Sequence, residues 1–108
     1  MLAKKHCISC EGGMPHLMAD EIADLHKEVP EWEIVDYHHL KRRFKCKNFA
    51  GALAFVNKIG TLAESEGHHP DIRFGWGYAE IISFTHAIGG LSENDFILTA
   101  KIDALFKR

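Results

Sequence analysis

The hydrophobic period of the chain changes at Asn48, and this change limits the possible folds more than any other feature. Before it, Leu40, Phe44 and Cys46 alternate with Lys41, Arg43, Lys45 and Lys47. A period of two belongs to a strand with one apolar and one basic face, Arg42 being the exception on the apolar side. After it, Phe49, Ala52, Leu53, Val56, Ile59, Leu62 and Ala63 recur at helical spacing. They predict a long helix over 49–66 that buries those seven residues. Asn48 suits the cap of that helix, and Gly67 suits a left-handed end.

The remaining elements follow from similar signals. Residues 1–16 read as an irregular N-terminal segment, broken by Gly12-Gly13 and Pro15. Residues 17–29 predict a helix with Ile22, Leu25 and Val29 on one side and Asp20 and Glu21 at its positive end, stopped by Pro30. Residues 32–37 and 40–47 form a strand pair turning near His38-His39. Residues 72–76 and 78–85 form another, turning around Gly75 and Gly77. In the last strand Ala79 and Ile81 lie on one face and Ile82 and Phe84 on the other. Cover on both sides is therefore expected, a partner chain being one candidate. Ser92 starts a helix to the C-terminus with Leu98, Ile102, Leu105 and Phe106 on its buried side. The expected fold class is α+β: a four-stranded antiparallel sheet with three helices packed on one face, in the order α-β-β-α-β-β-α. With 108 residues, one domain spanning 1–108 is expected, of a size that often gains burial by oligomerising.

Charge and cysteine content exclude several classes. A net charge of −2 gives no general attraction to nucleic acid or anionic membranes. No apolar run nears the roughly 20 residues of a membrane span. Three cysteines, an odd number, and no secretory pattern make a reduced, cytoplasmic protein the simplest expectation. Cys7-x-x-Cys10, flanked by His6 and His16, invites a zinc or redox reading. One Cys pair falls short of four ligands, however, and Gly12-Gly13 follows where a redox motif would open a helix.

Eight histidines are spread along the chain, and the informative ones lie around Glu64-Ser65-Glu66-Gly67-His68-His69-Pro70. This segment joins the end of the long helix to the third strand, a place where scaffolds present functional groups. Pro70 drives His69 toward extended backbone, where neighbouring side chains point in opposite directions. His68 and His69 are thus expected to do different work. Imidazoles titrate near neutrality and both give and take protons. His86 follows the last strand, and an antiparallel pairing with the third strand returns it toward the His-His pair.

Glu64, His68, His69, Pro70, Trp76, His86 and Asp95 together resemble the signature of the pterin-4a-carbinolamine dehydratase family. The likeness extends weakly over almost the whole chain, including Gly89-Gly90-Leu91-Ser92 before the last helix. It implies dehydration of a 4a-hydroxytetrahydropterin, in the recycling of tetrahydropterin used by an aromatic amino-acid hydroxylase. It implies no cofactor and no metal. It assigns His68 and His86 to proton transfer and His69, Glu64, Trp76 and Asp95 to substrate binding or support of the site: Glu64 orienting an imidazole or touching the pterin edge, Asp95 steadying His86, Trp76 forming a wall. A homodimer or homotetramer is also implied. Members of the same fold that serve as a transcription-factor dimerisation cofactor or a carboxylase assembly factor give the alternative, a non-catalytic binding role. There are two departures from the pattern: Ile72-Arg73-Phe74-Gly75, where relatives have a more regular strand, and Met18, where they often have a capping Ser or Thr.

Structural alternatives stand beside each of these. Ser92-Glu93-Asn94-Asp95 reads as a capping box, so Asp95 is as well explained by the helix start as by a site. Trp76 also suits packing, His38-His39 a hairpin turn, Cys46 the core, and the basic row of the second strand a solvated face.

Overall fold

The computed structural model describes residues 2–7 and 17–107. Its elements follow the expected order: α1 (Ala19–His26), β1 (Glu33–Val35), β2 (His39–Lys45), α2 (Phe49–Glu66), β3 (Asp71–Gly75), β4 (Tyr78–Ser83) and α3 (Glu93–Phe106). Single 3-10 turns occur at Leu2–Lys4 and His86–Ile88. The first lies in the segment expected to be irregular and puts Leu2 into the core.

All strand pairs are antiparallel, in the order β1-β2-β4-β3. The α2 crossover carries the chain from β2 to the far edge, and β4 then returns between β2 and β3. Leu40 and Phe44 of β2 and Ala79, Ile81 and Ser83 of β4 are buried on the inner face, where α2 and α3 pack. Arg42 belongs to this face, and its exception is resolved locally. Its guanidinium lies 4.2 Å from the Phe44 ring centroid and pairs with Asp103 at 2.8 Å. Asp103 also accepts a 2.8 Å hydrogen bond from the buried Trp32 indole. Burial pushes the Asp103 carboxyl above its ordinary range, against the opposing pull of Trp32 and Arg42.

The outer face carries the basic row, much of it engaged within the sheet. Arg43 sits 4.1 Å from the Tyr78 ring centroid. Lys41 and Arg73 reach Glu80 at 4.0 and 3.9 Å. The helices cover the inner face of β4; on its outer face Tyr78, Glu80 and Ile82 are half-buried. Asp71–Gly75 is a regular strand paired along its length with β4, so the departure at 72–75 does not interrupt the sheet.

The ends of α2 are those its sequence prescribes. The Asn48 side chain accepts from the Gly51 N–H at 2.8 Å. Gly67 adopts φ 65°, and the N–H groups of Gly67 and His68 close on the carbonyls of Glu64 and Ala63. The buried stripe is shifted from the expected one. Ala52, Phe55, Ile59 and Ala63 are buried, while Phe49 and Leu53 are exposed. α2 is apolar over a wide arc, and the sheet meets the flank that carries Phe55, whose ring packs edge-on against Phe44 at 4.9 Å.

α1 is shorter than 17–29. After His26 the chain tightens through i to i+3 bonds from Lys27, Glu28 and Val29, which bury Val29 outside the helix. At its start Met18 offers no side-chain cap. Glu21 compensates by accepting from the Met18 N–H at 2.8 Å.

Because Phe55 fills the space between sheet and α3, Phe55→Ala should destabilise the protein by about 3–5 kcal/mol in urea unfolding. Phe49→Ala, on the exposed flank, should cost about 1 kcal/mol or less. Equal losses would contradict this orientation of α2.

Candidate active site

The inner stripe of β4 changes character along its length. Ala79 and Ile81 are followed by Ser83 and then Thr85, so apolar side chains give way to hydroxyls at one end of the sheet. There the N-terminus of α3 presents Asp95, which is fully buried. Its Oδ1 accepts from Ser83 Oγ at 2.8 Å and from His68 Nε2 at 2.7 Å. Its Oδ2 accepts from Thr85 Oγ1 at 2.8 Å and from the Ser92 N–H at 3.0 Å. Thr85 gives its only hydroxyl hydrogen to Asp95. The 2.7 Å contact between Thr85 and Ser92 hydroxyls therefore has Ser92 as donor. An ionised carboxylate satisfies all four donors, and the third position of α3 lies where the helix dipole favours negative charge.

His68 is buried and lies just beyond the left-handed cap of α2. With Nε2–H donating to Asp95, the neutral ring keeps Nδ1 as its lone-pair nitrogen. His69 faces the other way, as Pro70 predicts. It is exposed, and its Nε2 meets Glu64 Oε2 at 2.9 Å. Glu64 thus orients His69, on the exposed side of the helix end.

His86 opens the 3-10 turn after β4 and is exposed. It follows Thr85, so the shared carboxylate brings the His86 backbone and His68 to one end of the sheet. Asp95 does not steady His86 as expected: it lies under the inner face, whereas His86 continues the outer row of β4. The contact of the His86 ring is with Phe84, centroids 4.1 Å apart, and among the described residues nothing hydrogen-bonds that ring.

Trp76 does not join the histidines within one chain. β3 runs away from Pro70, and Trp76 lies past its far end, in the turn to β4 and largely exposed. Five residues of strand separate the two places, roughly 15 Å. Ser83, Thr85 and Ser92, missed as site residues from the sequence, had a visible signal: hydroxyls replacing apolar residues on a buried stripe.

Glu66 closes the end of α2 from the other side. Its Oε1 accepts from the Cys7 N–H at 2.8 Å, and its Oε2 lies 3.2 Å from His6 and 3.6 Å from Lys101. Burial alone would raise its pKa, but the Cys7 N–H, His6 and Lys101 together hold it below the ordinary value of 4.5. Cys7 also directs its thiol to the Asn94 carbonyl at 3.6 Å. Cys10 and His16 lie outside the described residues, so the Cys7-x-x-Cys10 reading falls there too. Cys46 is half-buried, and burial raises its thiol pKa.

Residues 15–105 match the family model described as Pterin 4 alpha carbinolamine dehydratase. A protein of Rubrobacter xylanophilus with the provisional name pterin-4-alpha-carbinolamine dehydratase is 55% identical, over 96% of this chain and 97% of its own. A protein of the same provisional name from Alkaliphilus metalliredigens is 52% identical, over 94% and 93%. Two solved structures are similar. A transcriptional coactivator/pterin dehydratase of Brucella melitensis has a TM-score of 0.79 at 26% identity, covering 84% of this chain and 98% of that one. A pterin dehydratase-like protein identified as a RuBisCO assembly factor in the alpha-carboxysome has a TM-score of 0.60 at 30% identity, covering 69% and 88%.

A depressed folded pKa makes Glu66 stabilising above its unfolded value, and that contribution is lost as pH falls through the folded value. The urea stability gap between wild type and Glu66→Gln should be present at neutrality and close as pH falls below about 4.5. A gap that persists undiminished well below that pH would contradict the stabilising role of Glu66.

Proposed function

The chain belongs to the pterin-4a-carbinolamine dehydratase family, and on that premise we propose that it removes water from a 4a-hydroxytetrahydropterin to give the quinonoid dihydropterin. The observation that carries the mechanism is the buried 2.7 Å bond between His68 Nε2 and Asp95. In the elimination, the C4a–O bond breaks and its electron pair leaves with the hydroxyl, which takes a proton to become water. N5 loses its proton, and the freed pair forms the N5=C4a double bond. One group must accept a proton and one must donate; no electrons enter or leave.

His68 is the proton acceptor in this proposal. Asp95 fixes hydrogen on Nε2, leaves Nδ1 as the basic atom, and stabilises the imidazolium that forms when Nδ1 takes a proton. Proton donation to the leaving hydroxyl falls to His86. His69, oriented by Glu64, is assigned to substrate binding. Trp76 has no part within a single chain. Help of this kind is typically worth roughly 10²–10⁴-fold.

The proposal extends to service of an aromatic amino-acid hydroxylase, which generates such carbinolamines, and to a homodimer or homotetramer. The dehydratase reading is preferred to a binding or assembly role because this chain carries all three histidines and a buried His68–Asp95 hydrogen bond.

Carbinolamine generated enzymatically should lose its absorbance faster with the purified protein than spontaneously. His68→Ala/His86→Ala should lower the catalysed rate by roughly 10²-fold or more, and Asp95→Asn should lower it with His69 intact. No acceleration by wild type, or full activity in the double variant, would overturn the proposal.

A further inference from the structure

His86 lacks the carboxylate that anchors His68, yet a proton donor must be held still. What holds it lies on the outer face. β2 pairs with β4 so that Leu40 faces Ser83; His39 is therefore next to Phe84, and the β1–β2 turn lies at the site's end of the sheet. The Phe84 ring touches two imidazoles, with centroids 4.8 Å from His38 and 4.1 Å from His86, and tilted interplanar angles of 38° and 46°. His38 is tied in turn, its Nδ1 3.1 Å from Nδ1 of His39.

The turn that delivers His38 is strained. Asp36 and Tyr37 both adopt φ 53°, a left-handed conformation that is an outlier for a bulky residue such as Tyr. The His38 N–H closes the turn on the Val35 carbonyl at 2.9 Å. Two consecutive non-glycine residues in this region persist where surrounding structure demands it, and such strain clusters at functional sites.

We infer that Phe84 and His38 are positioning residues for His86, forming a His38–Phe84–His86 stack that fixes the donor imidazole without a hydrogen bond. The aromatic face restricts the His86 ring while leaving its nitrogens open to a ligand and to solvent. His38 limits the Phe84 ring through its own contact with it, so the β1–β2 turn becomes part of the site's support. This rests on the dehydratase reading for the role of His86, but not for the stack itself.

Two readouts keep the two apart. In wild type the His86 ring protons should carry the ring-current shift of a nearby phenyl, lost in Phe84→Leu and kept in Phe84→Tyr. In the dehydration assay, Phe84→Leu should lower kcat/KM roughly ten- to hundredfold. Phe84→Tyr should rescue it, and His38→Ala should fall between, with His38→Phe closer to wild type. Urea midpoints near wild type would show that the loss is not one of folding; a variant that fails to fold is judged by the His38→Ala and His38→Phe pair. Unchanged His86 resonances in Phe84→Leu would overturn the stack. Unchanged kcat/KM in Phe84→Leu, while His86→Ala loses activity, would overturn its positioning role. An inactive wild type would sink the dehydratase reading, and the resonances would still decide whether the stack exists.

Discussion

Four donors converge on the Asp95 carboxylate, and the working end of the molecule is organised around it. A buried charge is costly unless paired and fully hydrogen-bonded. Here the donors come from three parts of the chain: Ser83 and Thr85 at the end of β4, Ser92 before α3, and His68 beyond α2. Satisfying one carboxylate therefore sets the relative positions of the last strand, the last helix and the loop after the long helix. It also chooses the tautomer of His68. The helix-capping and site readings of Asp95 are thus one arrangement: Oδ2 closes on the backbone of Ser92 and Oδ1 on the imidazole.

The two faces of the sheet hold their histidines by different physics. On the inner face, His68 is buried and held by charge-assisted hydrogen bonding. On the outer face, His86 is exposed and rests against an aromatic ring. The alternation of β4 separates the two environments, since Ser83 and Thr85 point inward while Phe84 points outward. One strand end thereby supplies two hydroxyls to the buried carboxylate that holds His68 and an aromatic ring against the exposed His86.

Much of this was legible in the residues. Asn48 and Gly67 mark both ends of α2 because each supplies a local device, a side-chain acceptor and a positive φ, that needs no tertiary information. Pro70 correctly separated His68 from His69 for the same reason. The α+β class and strand pairing followed from the change of period and the short turns. Features that depend on packing were less legible. The wide apolar arc of α2 did not distinguish Phe55 from Leu53 as the inward residue. Which imidazole Asp95 meets depends on which face of β4 packs against α3, and the sequence pattern does not carry that. Trp76 shows the limit of spacing: strand direction, not distance along the sequence, puts it at the opposite end of the hairpin.

The central claim is that Asp95 holds His68 with hydrogen on Nε2 and a basic Nδ1. Nitrogen-15 spectra of histidine-labelled protein test it most directly, because the two ring nitrogens of each tautomer have distinct shifts. Among neutral His68 rings, those with Nε2 protonated and Nδ1 free should predominate, and Asp95→Asn should remove this preference. A His68 ring protonated on Nδ1, or a tautomer indifferent to Asp95→Asn, would contradict it.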